Sequence, residues 1–393
     1  MATDSFPSEL LAQPASARLT YFVGKVVAHP RLREAHDTLL RAIQEPAGAS
    51  LLLVFGPTGV GKTTLRRRVE KQLIEAALPD VLRDPGRVPV VGLEVVAGEA
   101  GQFNWKDYYT RALIALGEPL IPYKIVAPRG VDRESLGGVR DQRVAAPALR
   151  RALEQCLLQR RPAAIIVDEA QHLTKLASGR RLLDQMDVLK SLAALTETVH
   201  VLIGTYELVG LATLSGQLSR RSREIHFGRY RAEVAEDRRA FQSVLLTFQR
   251  HLPLTQEPDL VGRTDYLYEQ SVGCIGVLKS WLNRALAAAL EEGAATLSAR
   301  HLERQAEPAR KLLSLAREIK EGEEALREGG REHEELRHFL GLPSELMARE
   351  TSESEVPPPS RGATPRSRDR GERVAERLPT RDPVGVKGPA HGR

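Results

Sequence analysis

Residues 51–64 read LLLVFGPTGVGKTT, five apolar residues that run directly into a glycine-rich turn and then into a helix start. The turn has the spacing G-x-x-x-x-G-K-[ST], which places a phosphate-cradling loop between a strand and a helix. Gly56, Gly59 and Gly61, with Pro57, Thr58 and Val60 between them, let the backbone wrap closely around an anion. Successive N–H groups and the helix N-terminus then meet the phosphate oxygens. Lys62 is positioned to reach the β- and γ-phosphates of ATP, Thr63 to hold Mg²⁺ through its hydroxyl, and Thr64 to complete the loop. An uninterrupted apolar strand such as 51–55 belongs to a parallel sheet covered on both faces.

Working outward, strands alternate with helices. Leu32, Ala35, Leu39, Leu40 and Ile43 recur at helical spacing ahead of the loop, and a helix is predicted after it from Thr63 to about Leu78. Further strands are predicted at 88–96, 163–167, 199–203 and 224–227, with helices at 103–116, 146–159 and about 180–196. That alternation calls for an α/β three-layer sandwich around a parallel sheet, spanning residues 21–232. The Pro-, Gly- and charge-rich stretch 118–144 reads as an insertion loop, and residues 1–20 as a flexible arm. Residues 233–310 read as a small helical lid and 311–349 as a charged helical segment, either solvated or docked on a partner. From 350 the chain is too polar to offset its ordering entropy and is expected to be a disordered tail.

The second chemical motif is AAIIVDE, residues 163–169, an apolar strand ending in two acids. Asp168 would face the crevice at the strand's carboxyl end and hold the Mg²⁺ shell, while Glu169 would polarise an attacking water. Gln171 and His172 follow, suited either to the nucleotide or to a structural role. Thr205 ends the strand HVLIG and suits a sensor of the γ-phosphate or of the lytic water, as in nucleotidases with an additional central strand. Arg220 and Arg221 are candidates for a finger supplied across a subunit boundary, where an arginine neutralises transition-state charge. Lys279, a cation in the first turn of a helix where the dipole disfavours it, suits a second sensor with a phosphate nearby.

The chain of 393 residues, 42% hydrophobic, can bury a real core, which excludes a fibre or a mini-protein. Cys156 and Cys274 lie far apart with no CxxC spacing, so no disulfide framework or zinc site is suggested. No secretion pattern and no run of about 18 apolar residues is present, and a cytoplasmic protein without membrane association is expected. The net charge of +6 hints only weakly at a polyanion, since nine basic and six acidic residues lie beyond position 350.

Taken in order, GPTGVGKTT, IIVDEAQHL, IGTYEL, QLSRRSREIHFGRY and GCIGVLKSWLNRAL resemble the AAA+ P-loop ATPases of the TniB/TnsC type, ATP-dependent regulators of bacterial DNA transposition. The resemblance covers about residues 20–305. It implies a homo-oligomer, a ring or helical filament, that assembles with ATP on double-stranded DNA, works with a target-selection protein and recruits a transposase. It also implies slow, assembly-dependent hydrolysis. In this family Lys62 and Thr63 match the Walker A ligands, Asp168 and Glu169 the Walker B pair, Thr205 sensor 1, and Arg220 or Arg221 the finger. Lys279 stands where an arginine is common, and Lys106 and Arg111 are placed as DNA contacts. Two other readings compete: an AAA+ ATPase acting on protein partners in secretion or signalling, and a replication-initiator-like ATPase. No winged-helix segment is recognisable after the lid, which counts against the last.

Overall fold

The computed structural model describes residues 5–96, 103–124, 142–173, 180–211, 214–326 and 329–342. Residues 1–329 form one compact unit and 330–393 another. The expected tail, and residues 125–141 of the expected insertion, lie outside the described residues.

In chain order the first unit holds α1 (Ala15–Gly24), α2 (Pro30–Gln44), β1 (Leu51–Phe55), α3 (Lys62–Arg83), β2 (Val90–Glu94), α4 (Trp105–Ala115), α5 (Gln142–Arg160), β3 (Ala164–Asp168) and α6 (Arg180–Thr196). There follow β4 (Val199–Gly204), α7 (Gly216–Arg221), β5 (Ser222–His226), then the helices α8 (Ala235–His251), α9 (Thr264–Ser271), α10 (Ile275–Glu291), α11 (Ala299–Arg304) and α12 (Ala309–Ala325). The five strands form one parallel sheet in the order β2-β3-β4-β1-β5. Burial explains the order: every residue of β1, β3 and β4 is buried, as central strands require, whereas β2 and β5 carry exposed positions and form the edges.

Because side chains alternate across a strand, each strand feeds two cores. Leu51, Leu53 and Phe55 face a layer made by α4, α5 and α6, with Leu113, Leu153 and Leu189 among its members. Leu52 and Val54 face α2 and α3 through Leu39, Leu65 and Val69. The three-layer sandwich is therefore present as expected. A third core joins α8, α9, α10 and α11 around Trp281, and it includes Phe22 of α1.

Several boundaries differ from the sequence reading. Residues 5–20 of the expected arm are not free. α1 begins at Ala15, Leu19 packs on the third core, and Arg18 Nε donates to Pro253 O at 2.8 Å. α3 runs past Pro79 to Arg83, since a proline inside a helix forfeits one hydrogen bond without always ending it. β5 starts at Ser222 rather than 224 because its pairing with Leu51 sets the register, so Arg223 lies within the strand. Residues 118–124 of the expected insertion are anchored: Glu118 accepts from Lys124 Nζ at 2.5 Å and from Cys156 Sγ at 3.3 Å. In the charged segment, α12 is not wholly solvated: Ile319 and Gly322 are buried against its own unit, while most of its other residues are exposed. The second unit's described part is residues 330–342, which take in all but the first residue of α13 (Gly329–Phe339), and Leu336 and Phe339 are exposed there.

Candidate nucleotide site

The carboxyl ends of β1, β3 and β4 lie together at one end of the sheet's strands, where β1 runs into the glycine-rich loop. Gly61 caps α3 with φ of 117° and Gly59 has φ of 77°, conformations that exclude side-chain-bearing residues at little cost only for glycine. Lys62 is 9% exposed and its Nζ donates to the carbonyls of Gly56 and Pro57, each at 2.9 Å. Burial pushes its pKa down, opposed by the nearby carboxylates of Glu169 and Asp168.

Thr63 Oγ1 donates to Asp168 Oδ2 at 3.0 Å, so the two residues 105 positions apart in sequence become one donor set. A magnesium ion takes one or two carboxylates together with phosphate oxygens, and this hydroxyl–carboxylate pair beside the loop fits it. After β3 the chain turns sharply: Glu169 adopts φ of 55°, a left-handed conformation unusual for a side-chain-bearing residue, and its N–H bonds back to Asp168 Oδ1 at 3.0 Å. Gln171 ties the neighbouring strand end to it, donating through Nε2 to Glu169 Oε2 at 2.5 Å and accepting through Oε1 from Thr205 N at 3.3 Å. Thr205 Oγ1 is buried without a hydrogen-bond partner among the described residues.

These groups line a cavity of about 550 Å³ that includes Lys62, Thr63, Glu169, Gln171 and Thr205. The lid closes its far side. Val277 N donates to Gly59 O at 3.2 Å, and Gly276 and Ser280, one turn apart on α10, face the cavity.

Lys279 is not part of this wall. One residue from Ser280, it projects about 100° away around the helix. Its Nζ donates to Phe22 O, sits 3.3 Å from the centroid of the Phe22 ring and lies 5.2 Å from that of Phe248. Burial, with Lys25 adding to it, pushes its pKa down to about 7. The cation that the sequence offered as a second sensor thus serves the seam between α1 and the lid.

Arg220 and Arg221 lie in the last turn of α7, both exposed, and their side chains engage no partner among the described residues. Ser50 N donates to Arg221 O at 2.9 Å, which places Arg221 beside the amino end of β1. A five-residue strand is about 16 Å long, so both arginines stand at the opposite end of the strands from the glycine-rich loop. Lys106 and Arg111 are five residues apart on α4 and face different sides of it; Arg111 Nε is already held by Asp107 Oδ2 at 2.6 Å.

Besides Ser280, three site residues escaped the sequence reading. Arg66 projects from α3 one turn after Lys62, and its Nε lies 3.6 Å from Asp168 Oδ2, a spacing of four residues that could have flagged it. Glu207 and Glu318 also line the cavity, and nothing local in their sequence marks them.

Residues 44–211 match the sequence family described as AAA domain. With the sheet order and the lid, the fold is that of an AAA+ P-loop protein. No curated protein matches the chain. Among solved structures, it is similar to the ORC2 protein of Aeropyrum pernix in its ADP form, at 16% identity over 72% of this chain and 70% of that chain, TM-score 0.46. It is also similar to the Aeropyrum pernix ORC1 protein in complex with DNA, at 18% identity over 75% and 68%, TM-score 0.45. A third likeness is to Drosophila ORC bound to DNA, at 16% identity over 75% and 66%, TM-score 0.44. At identities this low none of these proteins lends the chain a substrate or a partner. Among the described residues no helix is long and apolar enough to cross a membrane.

Proposed function

We propose that the chain binds ATP with Mg²⁺ and hydrolyses it to ADP and phosphate. The observation that carries this reading is the joining of Thr63 and Asp168 at 3.0 Å beside Lys62, with Glu169 held at the same cavity by Gln171. When bound, the magnesium ion would neutralise charge on the β- and γ-phosphates, held by Thr63 and Asp168. Lys62 binds the phosphates from within the loop, the Glu169 carboxylate takes a proton from the attacking water, and Thr205 Oγ1 orients that water or the γ-phosphate. Lys62→Ala should abolish ATP binding by calorimetry, and binding unchanged from wild type would overturn the assignment.

The finer reading is a regulator of DNA transposition that assembles on duplex DNA. It rests on the sequence resemblance, above all QLSRRSREIHFGRY, and is supported by where Arg220 and Arg221 stand. Neither can serve the cavity of its own chain, which suits a finger reaching a neighbour's nucleotide. A backbone-gripping basic surface, with Lys106 and Arg111 as candidates, would bind DNA with little sequence preference. The test is negative-stain microscopy of the chain with random duplex DNA and a slowly hydrolysed ATP analogue. Rings or filaments are expected, and Glu169→Gln should give longer-lived assemblies with ATP itself. Absence of DNA-dependent assembly would turn the reading toward an ATPase that acts on protein partners.

A further inference from the structure

α12 follows the lid and brings one residue, Glu318, to the wall of the nucleotide cavity. Its C-terminal half is latched to the sheet domain by few but specific contacts. Ile319 is 1% exposed, and the backbone at Gly322 lies so close to the Tyr206 ring that any Cβ there would collide with it. Arg229 grips Glu323 with both ends of its fork, Nε to Oε1 at 3.0 Å and Nη2 to Oε2 at 3.2 Å. One turn before Gly322 and on the same face stands Glu318, whose carboxylate shares the cavity wall with Lys62, Glu169 and Thr205.

We propose that α12 is a displaceable cover, and that Glu318 makes the covered cavity discriminate against a nucleoside triphosphate in favour of the diphosphate. This rests on the nucleotide reading above. In that reading Lys62 and Thr205 are the groups that meet a γ-phosphate, and Glu318 brings a further carboxylate, beside Glu169 and Glu207, to the wall of the same cavity. A carboxylate on the cavity wall repels the added charge of a γ-phosphate, and a diphosphate adds no charge at that position. The cover is also lightly held. Only Ile319 and Gly322 of its seventeen residues are buried, and a cavity of about 180 Å³ remains beneath its last turn between Arg31, His226, Arg229 and Glu323. A ligand that binds the uncovered state better can therefore shift the balance, and the γ-phosphate supplies that difference.

The test compares the full-length chain with Glu318→Gln and Glu323→Gln, titrated in Mg²⁺ with a fluorescent non-hydrolysable ATP analogue and with ADP bearing the same label. Glu318 is exposed, so its substitution leaves folding intact. Both variants should move the ratio of triphosphate to diphosphate affinity toward the triphosphate by threefold or more, the first by removing the charge and the second by loosening the latch. A smaller change in Glu318→Gln overturns the discrimination, and a smaller change in Glu323→Gln overturns the displaceable cover. Failure of the wild-type chain to bind either nucleotide would instead overturn the nucleotide reading, and this inference with it.

Discussion

At the scale of residues, the cavity depends on a short chain of hydrogen bonds. Gln171 holds the Glu169 carboxylate and the Thr205 backbone together, so it positions the group assigned to water activation. Gly204 is packed against it: a Cβ there would lie 2.6 Å from Gln171 Oε1 and 3.1 Å from Gln171 N. Gly204→Ala should therefore lower kcat by about tenfold, the effect of roughly 1.4 kcal/mol at the transition state, with KM little changed. Steady-state kinetics check this, and an unchanged kcat would remove Gln171 from its positioning role. Lys279 gives a second prediction at this scale. Its pKa is about 7 in the folded protein against an ordinary value of 10.5. Between those values the unfolded chain holds a proton that the folded chain has released, so stability rises with pH across that window. Below about pH 7 the buried charge is retained in both states and the gain is absent. Thermal melts at pH 7 and pH 9 should show wild type gaining on Lys279→Met, and parallel changes would refute the assignment.

At the scale of elements, the phosphate loop and α10 meet through glycine on both sides. A Cβ at Gly276 would lie 2.5 Å from Gly59 O, and one at Gly59 would lie 2.5 Å from Val277 Cγ2. The Gly59 carbonyl cannot yield without moving backbone, so Gly276→Ala should lever α10 off the loop. ATP affinity is expected to fall about tenfold, consistent with an overpacking cost of about 1–3 kcal/mol. The lid's own core around Trp281 lies elsewhere on α10 and should keep its melting behaviour. Fluorescent-nucleotide titration beside a melting curve separates the two effects. Unaltered affinity would mean that the loop tolerates a shifted lid.

At the scale of the whole molecule, the sheet separates the two halves of the proposed catalytic apparatus. The glycine-rich loop opens from one end of the strands, and Arg220 and Arg221 stand at the other, next to Ser50. If an arginine completes a neighbour's cavity, two inactive chains should rescue each other. Lys62→Ala cannot bind nucleotide but keeps its arginines, while the double variant Arg220→Ala, Arg221→Ala keeps its cavity. ATPase activity of the mixture should exceed the sum of the separate activities. A mixture that merely equals that sum would rule out a shared site.

The sequence by itself determined the sandwich and the heart of the cavity, because both are written in local signals. Continuous apolar runs at 51–55 and 164–167 can only be buried on both faces, and the spacing from Gly56 to Thr63 prescribes the loop's geometry wherever strand and helix flank it. Asp168 and Glu169 were legible because a strand end in a parallel sheet faces the crevice. What only the tertiary structure decided depends on rotation and on distant packing. One residue of helical phase gave the cavity Ser280 and sent Lys279 to Phe22. The register of β5 on β1 set which end of the strands carries Arg221. α12, polar enough to be read as solvated, docks through one isoleucine, one glycine and one ion pair, too few apolar residues to leave a periodic trace. Glu318 reaches the nucleotide cavity only because of that docking, through contacts that sequence spacing does not encode.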